Sequence, residues 1–337
     1  MAKRTKVRGR NTGYATKEYQ KFLQESKIAP VGCVKSHFLD SGSFSLWGLA
    51  RKWAKETGKP EWDYYDTEDF WCYMRRYVAF VKKYPDAIDY YANVDVIPNP
   101  QLSYRNQKWL EKRGLNPVPI VHLKDSNSLK WFKRYIAEGY DFIGLGGMAA
   151  ESTSEQRRNW LDACFNIACD TPSRCPCVKL HGFGIVQHGL LTRYPWYSVD
   201  SAGWTKKAAY GFILVPLRKG GKWLFDKPPK VVAVAMEDRT RSGHYARMGP
   251  MHKQWIEDWI AFIGLPIGKA AQRKKKRTGI GEELDHAEVL EFGVTTRHWD
   301  RRIANLLYYD LLAKAQPEYP WPFQQVGHYQ GEGLGFL

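Results

Sequence analysis

The sequence has few cysteines and no long apolar stretch. Six cysteines in 337 residues are too few and too unevenly spread for a disulfide framework, so we expect reduced thiols. No run of eighteen apolar residues occurs, and no apolar stretch follows the basic first ten residues, so we expect neither a membrane span nor a secretory signal. These absences predict a cytoplasmic protein, in the host cytoplasm if the source is viral, with no membrane partner.

Motifs that indicate common enzyme classes are missing as well. Neither G-x-G-x-x-G nor G-x-x-x-x-G-K-[ST] follows the first predicted strand, which argues against a doubly wound nucleotide-binding sheet. His-x-His is absent from that strand and the nine histidines are scattered. A metal-dependent hydrolase built on a parallel α/β barrel is therefore only the third alternative, after the two given below.

The chain has fewer acidic than basic residues. The chain has 51 lysines and arginines against 35 aspartates and glutamates, and the formal net charge of +16 favours polyanionic partners. Aromatic residues make up 15% and are suited to stacking on unpaired bases, although most aromatic residues of any protein lie in its core. Charge alone does not identify the partner.

Short apolar or β-rich runs alternate with helical patterns in the first part of the chain. The runs lie at 30–42, 90–98, 116–123, 140–147, 178–185 and 194–201. The helices are predicted at 66–84, 103–113, 126–138 and 154–168. Six such strand–helix units are more than a small doubly wound sheet needs. We therefore predict an α/β fold, specifically a (β/α)8 TIM barrel.

The later part of the chain predicts additions to that barrel. Two β-rich stretches flank Lys-Gly-Gly-Lys within residues 211–225 and predict a hairpin. The predicted organisation is a flexible basic arm (1–13) and a single domain (14–337) with a β-ribbon insertion (about 209–236), a helix (251–263), a basic segment (271–277) and a C-terminal helix (about 297–315). The residues expected to contact a nucleic-acid backbone are Arg273, Lys274, Lys275, Lys276 and Arg277.

Three aspartates, Asp40, Asp95 and Asp200, lie at the ends of predicted strands. In a barrel these ends carry the active site, so the three should meet at one mouth. Glycosyl transfer needs one carboxylate at the anomeric carbon and a second group to manage the proton. Gly-Leu-Gly-Gly-Met (144–148) and His-Gly-Phe-Gly-Ile (181–185) would let a planar ligand approach the backbone, or are tight turns.

Several motifs resemble those of one family, in the same order along the chain. Asp40-Ser41-Gly42-Ser43-Phe44 resembles the Asp-Ser-Gly-Gly-Phe motif of tRNA-guanine transglycosylases. The further matches are Gly146-Gly147-Met148 with a Gly-Gly-Leu loop, His181-Gly182-Phe183-Gly184 with a Met-Gly-Val-Gly strand, Ser198-Val199-Asp200-Ser201 with the segment of the nucleophile, and residues 303–309 with a late helix that contains His-Asn-Leu.

This resemblance implies an enzyme that exchanges guanine in a nucleic acid for a 7-deazaguanine through a covalent aspartyl-sugar intermediate. It implies Asp200 as the nucleophile and Asp40 as the acid/base. It implies that Asp95 reads the base edge and that backbone amides bind the base carbonyl. The implied base-binding residues are Asp95, His122, Gly146, Gly147, Met148, His181 and Gly182.

The departures from the family concern its structural zinc, which is bound by Cys-x-Cys-x-x-Cys after the nucleophile and by a histidine of the late helix. Here no cysteine follows Cys177 and Ala304 takes the place of the histidine, so we expect no zinc there and no other cofactor. Cys169, Cys175 and Cys177 with His181 are poorly spaced for tetrahedral zinc, and simple thiols are the favoured interpretation. A compact, zinc-free, basic relative is most similar to the DNA-modifying branch often found in bacteriophages.

The main hypothesis is therefore a DNA transglycosylase that extrudes its guanine from the stack and uses a free 7-deazaguanine base, such as 7-cyano-7-deazaguanine. Within the same chemistry, the alternative is a tRNA-guanine transglycosylase that acts on tRNA. From a different class, the chain could be a non-catalytic nucleic-acid-binding barrel.

Overall fold

The structure is a computed structural model that describes residues 37–148, 152–236, 243–271 and 288–324. By its internal contacts the chain divides into two compact units. Among the described residues, the first unit comprises 37–203 and 316–324, and the second lies within 204–315. The arm at 1–13 and the cluster at 273–277 lie outside the described residues. The single domain predicted over 14–337 stays a prediction.

The first unit alternates short strands with helices. Its strands are β1 (Phe38–Leu39), β2 (Tyr90–Tyr91), β3 (Ile120–His122), β4 (Phe142–Gly146), β5 (Lys179–Gly182) and β6 (Ser198–Val199). Its helices are α1 (Ser43–Thr57), α2 (Glu68–Lys83), α3 (Pro100–Glu111), α4 (Ser128–Ala137), α5 (Ser154–Ala168) and α6 (His188–Arg193). The short 3-10 turns of this unit are Glu61–Asp66 and Pro85–Ala87.

These strands run parallel and pair in the order in which they occur in the chain. β1 pairs with β2, a parallel bridge joins Ala92 to Val118, and β3, β4, β5 and β6 form one sheet in that order. The mixed α/β class is therefore confirmed. Because parallel strands end at the same edge, the residues that follow them are brought to one side of the unit.

Alternation of side chains along the strands separates two environments. Val121, Ile143, Leu145 and Leu180 belong to a buried apolar cluster shared with Phe132, Tyr135, Leu161 and Phe165 of α4 and α5. The intervening residues include His122, Gly144, Gly146 and His181, which therefore lie on the opposite face. The helix-covered face holds the core, and the other face holds the polar groups.

The four helices predicted in this part of the chain are confirmed to within a few residues as α2, α3, α4 and α5. Thr67 and Asn99 accept hydrogen bonds from backbone amides at the starts of α2 and α3, and Thr153 forms a capping box with Gln156 at α5. Helix α1 was not predicted from the sequence. That helix begins after Gly42, which has φ +75° and offers no capping side chain, so the usual start signal is lacking.

The described part of the second unit contains antiparallel strand pairs and three helices. Its strands are β7 (Phe212–Val215), β8 (Leu217–Lys219), β9 (Lys222–Leu224), β10 (Lys230–Ala233), β11 (Lys269–Ala271) and β12 (Glu288–Glu291). Its helices are α7 (Gly203–Ala209), α8 (Pro250–Phe262) and α9 (His298–Lys314), with a 3-10 turn at Tyr245–Arg247. The predicted hairpin is confirmed as β8–β9, with Gly220 and Gly221 at positive φ, and the predicted later helices are α8 and α9.

Asn305 joins α9 to the strands of the second unit. Its side-chain oxygen accepts from the Leu214 amide at 2.8 Å, and its side-chain nitrogen donates to the carbonyls of Trp204 and Phe212. The side chain of Asn305 is fully buried, and these bonds satisfy its polar atoms, so a structural role explains the residue. Among the described residues, the structure has no helix long and apolar enough to cross a membrane.

Candidate active site

Asp40, Asp95 and Asp200 all lie beyond the carboxyl ends of strands in the first unit. Asp40 directly follows β1, Asp200 directly follows β6, and Asp95 lies four residues after β2. The negative charge of Asp95 helps to raise the pKa of Asp40, and that of Asp40 helps to raise the pKa of Asp200. Asp40 therefore interacts with each of the other two carboxyl groups.

Asp40 is held in a turn made by the residues that follow it. The Gly42 amide donates to Oδ1 of Asp40 at 3.2 Å. A Cβ at position 42 would lie 2.9 Å from the Tyr73 hydroxyl, which itself donates to the Ser41 carbonyl, so glycine is required by both φ and space. The protein around the carboxyl partly desolvates it and raises its pKa, with the Gly42 hydrogen bond opposing and Asp95 adding to the shift.

Asp200 is anchored by the loop after β5. The Gly184 amide donates to Oδ1 of Asp200 at 2.7 Å, and the Asp200 amide donates to the Gly182 carbonyl at 3.1 Å. Desolvation raises the pKa of Asp200, the Gly184 bond opposes it, and Asp40 raises it further. Two carboxyl groups that interact in this way do not ionise together readily, so one of them holds a proton more strongly than an isolated aspartate does.

His181 lies beside Asp200 and is 4% exposed. Its ring stacks on Phe38 with centroids 4.6 Å apart and meets the ring of Phe183 edge-on at 4.3 Å. Nδ1 lies 2.8 Å from the Ser198 hydroxyl, while the buried Nε2 has no hydrogen-bond partner and lies 3.8 Å from Oδ1 of Asp200. Burial lowers the pKa of His181 to about 4, so the ring is neutral at physiological pH.

The neighbours of His181 favour one tautomer. If Nδ1 carried the proton, the lone pair of Nε2 would face the carboxylate of Asp200, which is electrostatically unfavourable. If the Ser198 hydroxyl donates to Nδ1, the proton is on Nε2 and an N–H group faces Asp200. We assign this second tautomer, which presents a neutral donor beside the carboxylate.

The burial of His181 predicts a measurable pH dependence of stability. Its pKa of about 4 in the folded state is below the ordinary value of 6.5, so the unfolded chain binds this proton more tightly. The stability contributed by neutral His181 is complete above pH 6.5 and is lost as the pH falls towards 4, by about 3 kcal/mol. Denaturant unfolding at pH 7 and pH 4.5 should show that His181→Phe lacks this loss.

Comparison of variants is needed because the raised pKa values of Asp40 and Asp200 change stability in the opposite direction. The control is Phe183→Leu, which alters the packing around the imidazole and removes no titrating group. If the wild type and His181→Phe respond equally to acid, the imidazole is not held neutral.

Asp95 and His122 form a buried ion-pairing contact. Nε2 of His122 lies 2.6 Å from Oδ2 of Asp95, and Asp95 is 2% exposed. Burial opposes protonation of His122, but the Asp95 carboxylate outweighs it and raises the pKa above the ordinary value. Asp125 accepts from the His122 amide at 2.8 Å, and burial raises the pKa of Asp125 to about 6. The predicted base-reading pair is thus part of a buried acidic cluster.

The predicted glycines are explained first by the packing of the protein itself. A Cβ at Gly146 would lie 2.9 Å from Nδ1 of His122, and one at Gly182 would lie 2.5 Å from Ile185. Gly147 has φ +77°, and its Cβ would lie 3.1 Å from the Leu123 amide. Met148 is buried in the apolar cluster of α4 and α5. Base binding by these residues stays a prediction.

Two polar residues near the site were not assigned roles from the sequence. Ser198 was quoted within a motif, and its alternation with Asp200 along the strand could have placed both on one face. Asp125 follows His122 at a spacing of three, a pattern typical of a side chain that binds a backbone amide in a turn. Both hold a predicted site histidine in place.

Cys169, Cys175, Cys177 and His181, the alternative metal site considered from the sequence, are not arranged to hold a metal ion. Within residues 37–148, 152–236, 243–271 and 288–324, no group of three or more His, Cys, Asp or Glu side chains is arranged to hold a metal ion. Cys169 is buried, Cys175 is half-buried and Cys177 is exposed. His181 instead contacts Ser198.

Comparison with models of protein families, with curated proteins and with solved structures finds no match for this chain. The resemblance to tRNA-guanine transglycosylases therefore depends on the motifs and their order. The geometry that bears on it is the interacting pair Asp40 and Asp200, with a neutral histidine beside the second carboxyl group.

Proposed function

We propose that this protein is a base-exchange glycosyltransferase that replaces guanine in DNA with a 7-deazaguanine base. The observation that carries the proposal is the environment of Asp200, whose Oδ1 accepts from the Gly184 amide while Asp40 lies close enough to raise its pKa. A carboxylate anchored at one oxygen and accompanied by a second carboxyl group suits covalent glycosyl transfer.

The first step forms the covalent intermediate. An oxygen of the Asp200 carboxylate attacks C1′ of the sugar, the bond from C1′ to N9 of guanine breaks, and its electron pair stays with the base. Asp40 in its acid form gives a proton to the departing guanine. The partial desolvation of Asp40 favours that acid form.

The second step reverses this sequence with the new base. The incoming 7-deazaguanine gives its N9 proton to the Asp40 carboxylate, N9 attacks C1′, and the bond from Asp200 to C1′ breaks. Asp40 is again protonated and Asp200 is again a carboxylate, so the cycle needs no other reactant. The shorter amide hydrogen bond is the one to Asp200, at 2.7 Å against 3.2 Å for Asp40, which favours Asp200 as the ionised member.

The proposed base pocket lies beside these two groups. Asp95 reads the base edge and is oriented by His122, to which it is already bonded. Backbone amides of Gly146 and Gly147 bind the base carbonyl. His181 donates from Nε2 to the substrate or to Asp200, a role that its family counterpart, a methionine, could not perform.

The same proposal includes a closed (β/α)8 barrel without the family's zinc subdomain. Strands that pair in chain order and in one direction support it, since a doubly wound sheet reverses its order. DNA is proposed over tRNA because the family's zinc motif is missing; the net charge of +16 suits either nucleic acid.

The proposal predicts incorporation of a labelled base. Incubation of the protein with radiolabelled guanine should label duplex DNA, and an excess of 7-cyano-7-deazaguanine should displace the label. Exchange into tRNA alone would overturn the choice of DNA, while leaving the chemistry in place. If neither nucleic acid is labelled but both are bound, the non-catalytic alternative is correct.

A further inference from the structure

A cleft in the second unit lies between the hairpin β8–β9 and the end of helix α8. Its volume is about 540 Å³, within the range of sites that hold small molecules or single nucleobases. The lining side chains include Arg218, Lys222, Trp223, Phe225, Asp258 and Phe262. None of these residues belongs to the site around Asp200.

Aromatic rings form one wall of the cleft. Trp223 meets Trp259 edge-on at 5.2 Å, and Phe262 stacks on Trp259 with centroids 5.8 Å apart and planes at 25°. Phe262 is nevertheless 57% exposed, so much of this aromatic side chain is open to solvent. An exposed ring in an otherwise ordered stack is suited to receive another flat group.

Lys222 lines the cleft, and the adjoining strand of the hairpin adds a second lysine, Lys219. Lys219 and Lys222 lie opposite each other in the hairpin register, and both are exposed. Like charges at such a position destabilise a hairpin, and within the described part of the chain neither lysine is ion-paired with a carboxylate. Arg218 lies over the Trp223 ring at 5.1 Å and pairs with Asp258, which leaves the two lysines to attract an anion.

We propose that the cleft and the hairpin bind a strand of nucleic acid, with phosphates at Lys219 and Lys222 and an unpaired base on Phe262. Positive charge beside exposed aromatic rings is the combination used by proteins that bind single strands. The proposal concerns binding and does not depend on catalysis at Asp200.

The test measures binding of a fluorescent single-stranded oligodeoxythymidylate to the full chain by anisotropy, at several salt concentrations. K219Q/K222Q should weaken binding about tenfold or more, and should reduce the slope of log K against log salt by about 0.7 for each lost phosphate contact. Phe262→Ala should weaken binding with no change in that slope, because stacking releases no counterions.

The matched control is K130Q/K133Q, which removes two exposed lysines from α4 and should leave affinity within twofold of the wild type. Circular dichroism before and after binding establishes that all variants are folded. Equal losses in K219Q/K222Q and the control would mean that general positive charge, and not this cleft, attracts the strand. Unchanged binding by both K219Q/K222Q and Phe262→Ala would mean that another molecule or another part of the chain occupies it.

Discussion

Asp200→Asn is expected to lower the rate of base exchange on the order of a thousandfold or more, because an amide oxygen is a far weaker nucleophile than a carboxylate. The substitution keeps the shape of the side chain and an oxygen that accepts from the Gly184 amide, so the fold should be retained. The measurement is incorporation of labelled guanine into DNA under single-turnover conditions. Denaturing gel electrophoresis should also show loss of a covalent complex between protein and DNA.

The matched control is Asp86→Asn, which changes an exposed aspartate of a 3-10 turn and should leave the rate unchanged. Asp40→Asn tests the partner carboxyl group and should slow exchange without preventing attack by Asp200. An Asp200→Asn protein that exchanges bases at the wild-type rate is incompatible with the proposed covalent mechanism.

Asp95→Leu is expected to lower the free energy of unfolding by about 3–5 kcal/mol, the usual cost of breaking a buried ion pair by removing one partner. The substitution leaves Nε2 of His122 without its 2.6 Å partner, and Nδ1 is already unpartnered and buried. Urea unfolding followed by tryptophan fluorescence measures the change. The double variant Asp95→Leu/His122→Leu should regain much of the loss, because neither buried charge then remains.

The effect of Asp95→Leu should also depend on pH. The pKa of His122 is raised in the folded state, so the stability that this group contributes is present below its ordinary pKa of 6.5 and is lost as the pH rises through the folded-state value. The difference between the wild type and Asp95→Leu should therefore shrink at alkaline pH. A difference of less than 1 kcal/mol at pH 6 would show that the pair does not stabilise the fold.

The predictability of this site varied with the kind of signal in the sequence. The sequence predicted that Asp40, His122, Gly146 and Asp200 lie at strand ends, because each of these residues comes at the end of an apolar run. Helix α1 was missed because Gly42 gives no capping signal, although the same glycine shapes the Asp40 turn. The contact between His122 and Asp95 joins residues 27 positions apart, and local patterns contain no information about it.

The sequence by itself determined the α/β class, most of the helices, the glycine hairpin and the basic character of the chain, because these follow from local periodicity, turn chemistry and composition. Only the tertiary structure decided which polar groups meet. Side chains of β1, β5 and β6 become neighbours only when the parallel strands align; burial there makes His181 neutral, and the same alignment brings Asp40 close enough to raise the pKa of Asp200. The charge states of these groups depend on neighbours that come from several strands, so no single segment of the chain determines them.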